Sequence, residues 1–178
     1  MKLDYLFNIL AGVGVLIGIT RLTQSCSNAP ATLSPVEATA GKGSLAERGR
    51  YLVRISGCND CHTPRFPELG EKVPESEWLT GVPVGWRGPW GTTYASNLRR
   101  HLEGYSDATT WIAMVKSREG LPPMPWASLH AMTDDDLRAV HHYIRSLGVA
   151  GEIVPVPVPP DQKPVTPYLN LEPVMPQP

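Results

Sequence analysis

Cysteine is scarce in this chain: three residues in 178, at Cys26, Cys58 and Cys61. That is too few for a fold stapled by disulfides. Charge of one sign is also missing. A formal net charge of -1 leaves no global basic footprint for nucleic acid. There are two phenylalanines against 19 prolines and 16 glycines. Such a chain is loop-heavy and short of long sheets. With 42% hydrophobic residues a core is still available, and the length suits one domain of ordinary size.

No apolar run reaches comfortably across a bilayer, which takes roughly 20 residues. The longest, Leu6 to Thr20, is broken only by Asn8 before its end. It suits the hydrophobic stretch of an export leader, and extended over residues 5–22 it becomes a marginal membrane anchor. Ala29-Pro30-Ala31 offers a cleavage pattern of small residues. Thr23-Gln24-Ser25-Cys26 matches a lipid-attachment signal only at the small residue before Cys26. The sequence therefore divides into a signal peptide or anchor over 1–26, a flexible small-residue linker over 27–43, a domain over 44–150 and a proline-rich extended tail over 151–178.

Within the domain three helices are specified. Ser44 with Glu47 forms a capping box that starts a helix running to about Ile55, with Leu45, Leu52 and Ile55 near helical period. A second helix covers Asp107 to about Ser117, with Trp111, Ile112 and Val115 as its apolar stripe. A third begins after Thr133, buries Leu137, Val140, Ile144 and Leu147, and stops at Gly148. Residues 63–104 read as loop, with Trp78, Trp86, Trp90 and Tyr94 among prolines and glycines. A loop of that length fits a compact domain when it packs on a large rigid object. The tail, nine prolines in its 28 positions, cannot form a helix or a central strand. It reads as a strap anchored by Tyr168, Leu169 and Leu171, or as disorder.

The chemistry concentrates in Cys58-Asn59-Asp60-Cys61-His62. A redox dithiol needs a stabilised thiolate in a strand-helix-strand setting, and the pattern here follows a helix. A zinc site needs two further ligands at short spacing, and the domain holds no other cysteine. A covalent haem c uses every residue: Cys58 and Cys61 as thioether attachments, His62 as proximal iron ligand. For the opposite face of iron, Met124 is singled out, because Pro122, Pro123 and Pro125 leave its loop few conformations to lose. His101 and His130 are the other candidates, while Met114 and Met132 read as core. Haem carboxylates in an apolar crevice need donors, for which Trp90, Tyr94, Asn97, Arg99 and Trp126 are candidates.

The order capped helix, CNDCH, aromatic loop, short helix, methionine loop and final helix resembles the class I c-type cytochromes over about residues 44–148. Gly49 and Tyr143 resemble that family's helix crossing around an aromatic ring. GTTYASNL at 91–98, LPPMPW at 121–126 and MTDDDLRAVHHYIRSLG at 132–148 look like the cytochromes and cytochrome subunits that accompany bacterial membrane-bound or periplasmic dehydrogenases. The resemblance implies an all-α fold around one haem c and a periplasmic single-electron carrier. Its partners would be a dehydrogenase donor and an oxidase or cytochrome acceptor, without nucleic acid. The proline tail departs from the family, as does a single CxxCH where many such subunits carry two or three. The alternative class is a haem enzyme or sensor, peroxidase-like, with an openable distal position beside His101 or His130. A passive anchor is a third.

Overall fold

The computed structural model describes residues 44–176; the expected leader, its Cys26 and the linker lie outside them. Among the described residues, seven α-helices run in chain order: α1 Leu45–Ile55, α2 Cys58–His62, α3 Phe66–Leu69, α4 Leu98–His101, α5 Ala108–Ser117, α6 Trp126–Ala131 and α7 Asp134–Ser146. Three strands accompany them: β1 Val82–Gly88, β2 Gly91–Ala95 and β3 Tyr168–Asn170. No helix among the described residues is long and apolar enough to cross a membrane.

The helical scaffold is α1, α5 and α7. The capping box starts α1 as expected: the Glu47 amide donates to the Ser44 hydroxyl at 3.2 Å, and the Ser44 amide donates to the Glu47 carboxylate. Asp107 accepts from the Thr110 amide at 2.9 Å to start α5, and Thr133 accepts from the Asp136 amide at 3.1 Å to start α7. Helices α1 and α7 cross at Gly49. A Cβ there would lie 2.0 Å from the Ala139 carbonyl oxygen and 2.6 Å from the Tyr143 Cβ, so only glycine permits this approach. That crossing sets the buried face of α1 as Gly49, Leu52 and Val53, whereas Leu45 and Ile55 are exposed. On α7 the buried residues include Leu137, Val140, Tyr143 and Ile144, with Leu147 only partly covered. Gly148, with φ of +71°, lets the chain leave the helix.

The expectation of an all-α fold needs correction. Part of the segment read as loop is an antiparallel hairpin, β1 with β2, turning at Pro89-Trp90. Its ladder runs Gly85 to Tyr94, Trp86 to Thr93 and Arg87 to Thr92, with the register broken between Val82 and Gly85. Pro83 sits in that break, where a missing amide costs no ladder bond. Gly91, with φ of +98°, brings the chain into the returning strand.

The tail completes the sheet. β3 pairs parallel with β1, Gly85 to Tyr168 and Trp86 to Leu169, giving the order β2-β1-β3. Between α7 and β3 the proline-rich segment lies against the domain. Its carbonyls accept from side chains and amides of the hairpin: Arg87 donates to Pro160 and Gln162, Thr92 to Val158 and Gly85 to Pro167. Proline removes donors but keeps acceptors, so a strap of this composition is held by donors from below.

Candidate functional site

Gly57, with φ of +67°, turns the chain from α1 straight into α2, so Cys58-Asn59-Asp60-Cys61-His62 forms its own short helix. A network fixes its C-terminal end. The Thr63 hydroxyl donates to Asn59 Oδ1 at 2.7 Å and accepts from the Leu79 amide at 2.8 Å, while the Gly81 amide donates to the His62 carbonyl at 2.8 Å. The His62 ring, 7% exposed, donates from Nδ1 to the Ser96 carbonyl at 2.7 Å. A carbonyl can only accept, so Nδ1 carries the proton and Nε2 carries the lone pair. Burial holds His62 below the usual histidine range, partly offset by the Ser96 bond. The ring is therefore neutral at pH 7, in the tautomer that can bind a metal through Nε2.

His62 borders a cavity of about 620 Å³. That volume falls within the roughly 300–1,000 Å³ of sites for drug- and cofactor-sized molecules. Cys61, Trp86, Tyr94, Trp111, Met114, Leu121, Met124 and Trp126 also line it, with Arg100 and Arg118. Cys58 does not; it packs against the core beside it. Cys58 and Cys61 are not joined by a disulfide. Burial pushes Cys58 up to about 11 and raises Cys61 as well, with Asp60 adding to both. A dithiol redox centre needs the opposite shift. Among the described residues no cluster of three or more His, Cys, Asp or Glu side chains is gathered for a metal ion, which leaves the zinc reading without a ligand set.

The other predicted residues separate. Met124 borders the cavity, in a loop whose Met124 carbonyl accepts from the Trp126 amide at 2.9 Å. Met114, read as core, borders the cavity too, whereas Met132 packs on the core. His101 lines it with its ring 5.3 Å from that of Tyr105. His130 does not line it, and its Nε2 lies 3.1 Å from the Arg118 carbonyl. Trp126 presents a buried indole N–H without an acceptor, and the Arg118 guanidinium lies 5.3 Å from its ring centroid. Trp90 has a buried N–H without an acceptor as well, but stands off the cavity and packs over Gly88.

Three candidate donors are engaged elsewhere. The Asn97 amide donates to the Ala150 and Glu152 carbonyls at 2.8 and 3.1 Å, and its oxygen caps α4. Arg99 donates to the Gly148, Ser76 and Leu147 carbonyls, closing the end of α7. The Tyr94 hydroxyl lies 2.7 Å from the Thr166 hydroxyl in the strap. The sequence reading set Trp86 among the aromatics of a loop packed on a rigid object without giving it a site role, and it did not name Ser96 or residues 153–157 of the tail, which line or support the site. Trp86 could have been found from the aromatic and β-branched residues flanking Gly88-Pro89-Trp90-Gly91. Ser96 acts through its backbone oxygen and leaves no side-chain signal.

The donor set fits a c-type haem. Paired thiols and a locked neutral imidazole stand on one short helix, a thioether reaches the same largely apolar cavity, and Trp126, whose buried indole N–H has no partner, lines it. Comparison with known proteins points the same way. Over 127 aligned residues the chain is 32% identical to the gluconate 2-dehydrogenase cytochrome c subunit of Pantoea cypripedii, covering 61% of this chain and 27% of that protein. Over 109 aligned residues it is 27% identical to the cytochrome c subunit of the quinone alcohol dehydrogenase of Gluconobacter oxydans strain 621H, covering 56% and 21%. This chain is similar to cytochrome c subunits of bacterial dehydrogenases. It spans only about a quarter of the length of these curated relatives. No protein-family model matches it, and no solved structure does.

Proposed function

We propose that this chain is an exported class I c-type cytochrome with one covalent haem c, carrying single electrons from a dehydrogenase to a respiratory acceptor in the periplasm. The observation that carries the reading is the His62 ring, oriented by Ser96 so that its free nitrogen belongs to the neutral imidazole, on the helix that bears both cysteines. Cys58 and Cys61 hold the porphyrin through thioether bonds. His62 is the proximal ligand, oriented and kept basic by its bond to Ser96. Met124 is the distal ligand, presented by a loop in which prolines limit motion. Trp126 offers its unpaired N–H to a haem carboxylate, whereas Trp90 stands off the cavity over Gly88. Haem c held by these residues supplies one-electron exchange at iron without bond breaking. Residues 5–22 supply membrane association where the leader is retained.

Two measurements test this. The purified wild-type protein should carry one haem of added mass and stain for haem on a denaturing gel; a colourless denatured band would remove the reading. Met124→Ala should abolish the sulfur–iron charge-transfer band and lower the midpoint potential while covalent haem persists, since a thioether favours ferrous iron more than the groups that replace it. The same loss in Met114→Ala, with Met124→Ala unaffected, would move the distal ligand to Met114. Retention of six-coordinate iron that is lost only in His101→Ala would favour the histidine alternative.

A further inference from the structure

The tail does more than cross the surface. Ile153 to Pro157 line the same cavity as His62 and Met124. Ile153 and Val156 are 80% and 78% exposed, while Val154 and Pro155 between them are half-buried. The domain is shaped to receive this segment. A Cβ on Gly81 would lie 2.6 Å from Val154 Cγ1, and one on Gly91 would lie 2.3 Å from the Val158 carbonyl oxygen. Thr92, fully buried, exchanges both backbone hydrogen bonds with Val158, at 2.8 and 2.9 Å. Asn97 clamps the near end through the Ala150 and Glu152 carbonyls, and Arg87 clamps the far end through Pro160 and Gln162. Pro155 and Pro157 bring no backbone N–H to a largely apolar lining, so the wall leaves few stranded donors there.

We propose that residues 153–157 are a built-in wall of the cofactor crevice, positioned by Asn97, which keeps water and small ligands away from iron and so holds the reduction potential up. This rests on the haem c reading. Exclusion of water disfavours the extra positive charge of the ferric state, so an opened wall stabilises ferric iron and lowers the potential. Water or an added base then also reaches the distal position more easily.

The test uses the full holoprotein and three variants. Asn97→Asp keeps the oxygen that caps α4 and removes the amide donors that hold the strap. Arg87→Met releases the far end, and a chain ending at Gly151 removes the wall. Amide exchange at Thr92 reports whether the strap has left. Release should speed Thr92 exchange, shift the midpoint potential downward and accelerate imidazole binding to the ferric protein, with covalent haem unchanged. If the truncated chain does not fold, the two point variants decide. A strap shown to be free by Thr92 exchange, with potential and imidazole binding as in wild type, overturns the wall. Persistent Thr92 protection in Asn97→Asp overturns Asn97 as its clamp. Wild-type protein without covalent haem overturns the cofactor reading itself, an outcome separate from the other two.

Discussion

The two halves of the domain are stabilised in different ways. The scaffold of α1, α5 and α7 closes on itself: Leu52, Val53, Trp111, Ile112, Leu137 and Ile144 share one core, and Gly49 lets α1 and α7 touch backbone to side chain. The other half, made of the hairpin, the methionine loop and the strap, encloses the cavity of about 620 Å³ together with α4 and the Trp111, Met114 and Val115 face of α5. Its segments are joined largely by hydrogen bonds and by glycines at close approaches, with little apolar packing among themselves. Interiors are normally filled to high density. One half therefore has its core in its own side chains, and the other borders a largely apolar cavity of a size that suits the proposed cofactor.

The scaffold should be the easier half to destroy. Gly49→Leu places a side chain where the Ala139 carbonyl and Tyr143 already sit. Overpacking of a core costs typically 1–3 kcal/mol, and a clash with backbone belongs at or above about 3 kcal/mol. Denaturant unfolding of the variant should show that loss, and helical content should fall if the helices cannot separate far enough. A stability within 1 kcal/mol of wild type would mean that the crossing does not depend on glycine.

The next effect tests the second half. Cys58→Ser combined with Cys61→Ser removes the proposed covalent attachments while leaving a side chain of similar size where Cys58 packs on the core. Amide protection should drop over Val82 to Ala95 and over residues 153–170, and persist in α1 and α7. Segments that depend on a guest should open first, because local stability follows local packing. Uniform loss of protection through both halves would show that the scaffold also depends on the cofactor. Uniform retention would show that the cavity half is stable without it.

The same division explains what the sequence could reveal. Scaffold helices carry local signals: Ser44 with Glu47 and Thr133 with Asp136 announced two starts, Trp111, Ile112 and Val115 marked the remaining helix, and the structure shows a cap at each, Asp107 serving α5. CNDCH was legible as chemistry because its spacing is local as well. The hairpin was obscured by Pro83 and Gly85, which interrupt the alternation and belong to an irregular register that only the folded pairing reveals. Asn97 was legible as a polar residue near the site but not as a clamp, since its partners Ala150 and Glu152 are carbonyls some 50 residues away. Backbone acceptors such as Ser96 have no residue-type signature. Expectations that depended on long-range backbone partners needed correction, and so did Leu147, which is only partly covered, and Ile55, which is exposed.

The smallest predicted effect concerns the bond between the scaffold and the loop leading to the hairpin. Glu75 accepts from the Tyr143 hydroxyl at 2.6 Å and from Arg50 at 3.0 Å. Burial alone would raise its pKa, but the Tyr143 and Arg50 bonds together hold it below the reference value of 4.5. A carboxyl depressed on folding contributes stability that is fully present above its unfolded pKa and lost as pH falls through the folded one. Glu75→Gln should therefore cost about 1 kcal/mol or less near pH 7, because the half-exposed pair is screened by water. The gap between wild type and variant should begin to close below about pH 4.5, and nearly vanish once Glu75 is protonated in both states. Thermal unfolding of both proteins from pH 7 to pH 3 reads this directly. A gap that stays constant over the range would assign Glu75 a role through shape and hydrogen bonding, with no contribution from its charge.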